Sequence, residues 1–402
     1  MENRDAGSGA DVLIADQDST QWYSGGADHL PVKIVPGQSF ARGAVNEVLE
    51  GVLLGQEVGS EEIITLFQAR GPEVVAIAEV ADDLRRQAVG EKVTWVHNRN
   101  INYTNVCNVY CKFCAFWRSE KADDAYVISH EEIDQKIEET VALGGTQILM
   151  QGGHHPKLNK QWYLDLLTHI GEKFPTINVH GFSPSEFVHF QKMFDEPMED
   201  LIRDFHKAGL GSIPGGGGEI LVDGVRKKIS PLKAMSDDWL EVMAVAHRLG
   251  MASTATMMFG HVESLEHRIE HLERVRRQQD ETGGFTAFIA WTFQAENTRL
   301  KATPVGAHEY LRMQAISRIY LDNIPNIQSS WVTQGLEIGQ VALKYGANDL
   351  GSIMIEENVV SEAGTTFQMG VADMRRLIEG IGYEARQRDN WYRLVDGQAA
   401  AA

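Results

Sequence analysis

Three cysteines occur in 402 residues, and all three fall in one run, N-V-C-N-V-Y-C-K-F-C-A-F from Asn105 to Phe116. Cys107, Cys111 and Cys114 are spaced C-x3-C-x2-C. Cysteine thiolates are the ligands of iron–sulfur clusters. Three of them on one short loop can hold three irons of a [4Fe–4S] cubane. No fourth cysteine is present, so the last iron is left for an outside ligand. A structural zinc site would add a nearby His and use shorter, paired spacings. Three inert, buried cysteines would need no common loop.

Other residues suited to chemistry gather in short polar or glycine-rich runs. Gly152-Gly153 follows Gln151 and precedes His154-His155. A double glycine lets backbone approach a ligand closely, although a tight turn alone would also use it. His180, Ser183, Ser185 and Glu186 form a second group, read as a loop. Four glycines, Gly215 to Gly218, precede Glu219. They are too flexible for an element interior, and the run lacks the G-x-x-x-x-G-K-[ST] signature of a phosphate loop. A carboxylate such as Glu219 suits ribose hydroxyls. Arg226 could pair with Glu219, hold a substrate carboxylate, or lie on the surface. His261 is the acid–base candidate, because imidazole titrates near neutral pH; a structural histidine is the alternative. Trp291, Gln294 and Thr333 combine aromatic, amide and hydroxyl groups, as an aromatic, polyhydroxylated substrate would need; core aromatics are the bland reading. Glu356 is placed where it could close a mouth.

The elements that position these runs follow from periodicity. Residues 1–35 are polar and rich in Gly, Asp and Ser, which predicts a loose tail, with Trp22-Tyr23 as a possible docking pair. Residues 36–91 show helical spacing, such as Leu49, Val52 and Leu53, broken at Gly71-Pro72. Lys92 to Asn105 reads as the first strand, leading straight into the cysteine loop. Strands and helices then alternate to residue 364, with eight strand candidates over about 260 residues. This predicts βαβ units and a (β/α)8 TIM-type barrel, typically ~250 residues long; a doubly wound open sheet is the second choice. Each polar run lies just after a strand, where barrel enzymes carry their chemistry. Residues 365–402 are expected to form a helical tail, helical from Val371 to Val395 and packed outside the barrel. The net charge of −19 argues against a general nucleic-acid-binding surface. No apolar run approaches a membrane span of ~20 residues, and no secretory leader is evident. A reducing cytoplasmic setting suits the cluster better than a disulfide role for the cysteines.

The cysteine motif resembles that of the radical S-adenosylmethionine (SAM) superfamily, and the similarity runs from Tyr103 to about Gly364. In that superfamily the open iron binds SAM, and one electron cleaves it to methionine and a 5′-deoxyadenosyl radical. The runs G-G-G-G-E-I-L-V-D-G-V-R-K-K-I-S-P and T-A-T-M-M-F-G-H-V-E resemble members acting on tyrosine- or chorismate-derived aromatics. D-E-T-G-G-F-T-A-F-I-A-W-T-F-Q, L-D-N-I-P-N-I-Q-S-S-W-V-T-Q-G and G-A-N-D-L-G-S-I-M-I-E-E-N-V-V-S are most similar to the cyclic dehypoxanthinyl futalosine synthase family of menaquinone biosynthesis. Ala290 and Ala295 replace prolines common there, and Gly218 stands where Ala is usual; these are small changes. The resemblance implies a [4Fe–4S] cluster and SAM as cofactors. It places Gly152 and Gly153 by the methionyl amine, Ser183 by a carboxylate of SAM or substrate, and Glu219 by the SAM ribose. The implied substrate joins a nucleoside-type sugar to a benzoate. The implied reaction takes hydrogen from ribose C4′, adds that carbon to the benzoate ring, and loses one electron and one proton. His261 would accept the proton, Arg226 would contact the carboxylate, and a flavodoxin or ferredoxin would supply the electron. Aminofutalosine synthase, FO synthase and a non-enzymatic cluster carrier are the alternatives.

Overall fold

The computed structural model describes residues 43–395. The expected tail at 1–35, with Trp22-Tyr23, lies outside them. Three helices lead in: α1 (Gly43–Leu53), α2 (Ser60–Gln68) and α3 (Pro72–Val89). Pro72 opens α3, where its missing N–H costs nothing. Leu49, Ile63, Leu66 and Ile77 bury the inner faces of these helices against the main body.

Ten strands follow: β1 (Lys92–Val96), β2 (Asn98–Asn102), β3 (Gln147–Gln151), β4 (Asn178–Gly181), β5 (Leu210–Ile213), β6 (Ala252–Phe259), β7 (Phe285–Thr292), β8 (Asn326–Gln328), β9 (Asp349–Ser352) and β10 (Glu384–Gln387). They form one sheet in the order β10-β1-β9-β8-β7-β6-β5-β4-β3-β2. The pairings are parallel, as βαβ crossovers require. The expected first strand is split at His97. Its first half, β1, pairs with β9 (Val96↔Ser352), and its second half, β2, pairs with β3 (Asn98↔Gln147 to Asn102↔Gln151). Ile353 N donates to Val96 O and Ile355 N to Asn98 O. The chain after β9 therefore reaches β2 at the far end of the sheet, which curls into a TIM-type core with the helices outside.

These helices are α4 (His130–Ala142), α5 (Lys160–Lys173), α6 (Pro184–Phe194), α7 (Met198–Ala208), α8 (Asp223–Ile229), α9 (Ser236–Arg248), α10 (Leu265–Thr282), α11 (Ala307–Tyr320), the short α12 (Trp331–Gln334) and α13 (Leu336–Ala342), and α14 (Val371–Glu379). Ser129 caps α4 by accepting from Glu132 N, as its S-x-x-E pattern predicts. Two expectations change. Ser185 and Glu186 lie on a helix, α6, and not on a loop. Its signals are Ser183 at the N-cap, Pro184 in the first turn and Glu186 completing a capping box. The tail is helical only through α14. After Gly380 the chain pairs with β1 as β10 (Lys92↔Glu384), and residues 388–392 turn into the barrel. No helix among the described residues is long and apolar enough to cross a membrane.

Candidate active site

The three cysteines lie on the loop between β2 and α4. Side chains near its start fold it over the barrel mouth: Thr104 Oγ1 donates to Tyr126 O (2.6 Å) and Asn105 Nδ2 to Asp124 O (2.8 Å). Cys107 N donates to Arg118 O (3.0 Å), and Lys112 is tied through its backbone to Ile229 and Leu300, so the loop is pinned from opposite sides. Cys111 is buried, and Cys107 and Cys114 are partly exposed. Burial pushes the Cys111 thiol up to about 12, while the charge of Lys233 opposes the rise. Burial also raises Cys114, against N–H donors of Trp117 and Phe116.

The glycine run, residues 215–218, adjoins this loop through Lys233, which lies over Phe113. Arg226 is fully buried and donates to the carbonyls of Ala234 (2.9 Å), Gly218 (3.1 Å) and Gly217 (3.0 Å). It holds the glycine run in shape. Glu219 adopts φ 25°, a region that favours glycine, and strain of this kind persists where surrounding structure enforces it. Its Oε1 accepts from Lys233 Nζ (2.7 Å). Its Oε2 is buried with no hydrogen-bond partner among the described residues.

Below the two loops a cavity of about 300 Å³ runs down the barrel, from Gly215–Gly217 and Glu219 near the mouth to Arg388, Asn390 and Tyr392 at the floor. Its wall carries neutral polar groups, among them Asn100, Gln147, His180, Thr256 and Gln328.

Comparison with known proteins agrees with this arrangement. The radical SAM superfamily model matches residues 101–275, and the CofH/MqnC C-terminal region matches residues 282–400. The chain is 44% identical to a cyclic dehypoxanthine futalosine synthase of Halalkalibacterium halodurans, over 88% of this chain and 95% of that protein.

The chain belongs to the radical SAM superfamily.

A cyclic dehypoxanthine futalosine synthase of Streptomyces coelicolor is 43% identical, over 86% of this chain and 87% of its own length. A 5-amino-6-(D-ribitylamino)uracil–L-tyrosine 4-hydroxyphenyl transferase of Archaeoglobus fulgidus is 42% identical over 79% and 93%. The fold is shared with methylornithine synthase, at a TM-score of 0.65 and 16% identity, over 82% of this chain and 95% of that one.

The residues present fit the radical SAM cofactors. Cys107, Cys111 and Cys114 are free thiols on one loop, and a cubane takes one thiolate on each of three irons. Glu219 lines the cavity; its Oε2 lies 3.6 Å from Arg226 Nη1 as an ion pair and makes no hydrogen bond among the described residues, so it keeps acceptor capacity for a donor such as a ribose hydroxyl.

The sequence-predicted site residues separate into three sets. Glu219, Trp291 and Thr333 line the cavity. Gly152, Gly153 and Ser183 support it from behind. A Cβ on Gly152 would lie 2.5 Å from the Tyr103 ring, and one on Gly153 would lie 2.9 Å from Cys107 Cβ and still closer to Val106 O. The double glycine thus lets β3 pack under the cysteine loop. Ser183 spends its hydroxyl on Glu186 Oε2 (2.7 Å) as the α6 cap. Glu186 also accepts from Tyr103 Oη (2.7 Å) and Gly152 N (3.1 Å), so one buried carboxylate joins β2, β3 and α6 behind the site.

The third set points elsewhere. The side chain of His261 is fully buried; its Nε2 meets Met258 O (3.1 Å) and its Nδ1 accepts from Val262 N (2.7 Å). Both nitrogens serve the loop after β6, and the ring does not line the cavity. Arg226 pairs with Glu219 (3.6 Å), one of its expected roles, and spends its hydrogen bonds on carbonyls. Gln294 donates back to Thr292 O (3.1 Å). Glu356 is ion-paired with Lys136 (2.8 Å) and lines, with Phe367, an adjoining cleft that shares Trp331, Val332, Met354 and Glu357 with the cavity.

Two features escaped sequence reasoning. Lys233 reaches Glu219 and lies over the Phe113 ring (5.2 Å). Arg388 pairs with Asp349 at the floor. His180, singled out in the sequence near a strand end but given no role, faces the cavity from β4.

Proposed function

We infer that this chain cyclises dehypoxanthinyl futalosine in menaquinone biosynthesis, working in the cytoplasm with a flavodoxin- or ferredoxin-type electron donor. The similarity to two cyclic dehypoxanthine futalosine synthases over nearly the whole chain supports this reading. The observation that carries it is the cavity: it opens at Glu219, which Lys233 ties to Phe113 of the cysteine loop, its wall carries many neutral polar groups, and Trp291 gives it an aromatic side.

Cys107, Cys111 and Cys114 would hold the cluster, and Glu219 with the glycine run would cradle SAM. When bound, these groups supply a 5′-deoxyadenosyl radical that takes hydrogen from ribose C4′. The chain's own work is positioning. Holding the sugar carbon against the aryl ring makes a bond-forming step effectively unimolecular. The barrel wall and the floor at Arg388 keep water from a reactive carbon centre.

The test uses anaerobically reconstituted, reduced enzyme with SAM and dehypoxanthinyl futalosine. The expected product is lighter by one pair of hydrogens, with about one 5′-deoxyadenosine per turnover. Deuterium placed at ribose C4′ moves into the 5′-deoxyadenosine. Label retained in the product refutes C4′ abstraction. A fluorescent deazaflavin formed from a ribitylaminouracil and tyrosine-derived substrate, with no cyclic product, refutes the ring closure.

A further inference from the structure

Midway down the cavity, Asn100 on β2, Leu149 on β3 and His180 on β4 stand in lateral register. Gln147 lies two residues below Leu149, and its side chain faces the same space. Asn100 is 6% exposed, Gln147 3% and His180 6%. Asn100 Oδ1 and Gln147 Oε1 have no hydrogen-bond partner among the described residues. Two orphaned carbonyl oxygens so near a cavity are costly unless a ligand supplies donors.

The histidine is fixed in one tautomer. Ser212 Oγ lies 2.8 Å from His180 Nδ1, 3.1 Å from Asn178 Nδ2 and 2.8 Å from Asn390 Nδ2. A hydroxyl has two acceptor lone pairs and one proton. The two amides fill the lone pairs, so the Ser212 proton must go to Nδ1. His180 Nδ1 is therefore an acceptor, and its proton sits on Nε2. Burial, aided by the Arg388 charge, pulls the imidazole down to about 3, so the ring stays neutral. His180 is thus a fixed N–H donor, and Asn390, from the segment after β10, helps to fix it.

We propose that Asn100, Gln147 and His180 form a sugar-recognition layer that seats the hydroxyls of the substrate's ribose deep in the barrel. The aryl end then lies nearer Trp291 and the mouth. This rests on the reading of the substrate given above. A carboxylate offers only acceptors and would leave Asn100 Oδ1 and Gln147 Oε1 unsatisfied. Each amide also carries an NH2 beside its carbonyl, so hydroxyls, which donate and accept, satisfy the whole layer, whereas a carboxylate meets only its donors. Charge agrees: the floor cation Arg388 is already neutralised by Asp349.

The test measures equilibrium binding to the cluster-loaded enzyme with SAM and no reductant, so that no turnover occurs. Dehypoxanthinyl futalosine is compared with analogues each lacking one ribose hydroxyl. At least one analogue is expected to bind wild type about 5–10-fold more weakly, the size of one neutral hydrogen bond. In His180→Phe or Gln147→Leu that discrimination disappears, whereas His180→Gln, which keeps an N–H donor, restores part of it. Unchanged iron content and SAM affinity show that the variants are folded. Equal discrimination by wild type and both variants overturns the layer. A wild type that binds adenosine with the same His180 dependence, but not dehypoxanthinyl futalosine, upholds the layer and overturns the ring-closure reading. A wild type that binds neither overturns both.

Discussion

Arg388→Met probes the ion pair that closes the barrel floor. The Asp349 side chain is fully buried and that of Arg388 is 5% exposed. Arg388 Nε and Nη2 both donate to the carboxylate, which also accepts from Thr94 Oγ1 (2.6 Å) and Gly351 N (2.8 Å). Methionine keeps the apolar length but removes the cation, leaving a buried charge with two neutral donors. Breaking a buried pair from one side costs about 3–5 kcal/mol. The double variant Arg388→Met/Asp349→Asn keeps an acceptor for Thr94 and Gly351 without the charge, and should recover most of the loss. Denaturant unfolding of wild type, both single variants and the double closes the cycle, with an expected coupling of about 1–3 kcal/mol. Arg388→Met should also weaken substrate binding while leaving iron content unchanged, because the floor lies far down the cavity from the cysteine loop. An Arg388→Met variant within about 0.5 kcal/mol of wild type, or a double variant as unstable as the sum of the singles, would refute the argument.

Gly153→Ala should lower iron incorporation while leaving far-UV circular dichroism unchanged, since its Cβ would press on Val106 and Cys107; the overpacking cost is about 1–3 kcal/mol, and full iron content would count against it. Glu219→Gln should weaken SAM binding by about 10–100-fold, the loss of a hydrogen bond to a charged acceptor, with the cluster retained; unchanged SAM titration would leave Glu219 only its structural links to Lys233 and Arg226. Burial holds His180 and His271 at about 3 and His247 at about 4. Their folded values lie below the ordinary ~6.5, so the unfolded chain binds more protons in acid. Stability is full above about pH 6.5 and falls below it, by roughly 1.4 kcal/mol per pH unit per imidazole. Denaturation midpoints of cluster-free protein at pH 7 and pH 5 check this, and equal midpoints would refute it.

The cluster motif and the barrel were legible in the sequence because both are local. C-x3-C-x2-C lies within a single loop, and the alternation of strand and helix repeats within windows of ten to twenty residues. The strand-end rule then placed Glu219, Trp291 and Thr333 on the cavity. Side-chain direction was not legible. His261 and His180 are both histidines near strand ends. His261 spends its ring on the backbone of Met258 and Val262, while His180 faces the cavity, and only the packed backbone tells them apart. Arg226 had three readings from sequence, and only the fold selects among them, burying it between Glu219 and the carbonyls of the glycine run. The floor was the least visible part. Asn390 meets Ser212 across 178 residues of chain, and Arg388 meets Asp349 only because β10 pairs with β1 beside β9. No periodicity encodes such contacts. Burial decides them, because a polar group enclosed within the barrel must find its partner there, wherever along the chain that partner lies.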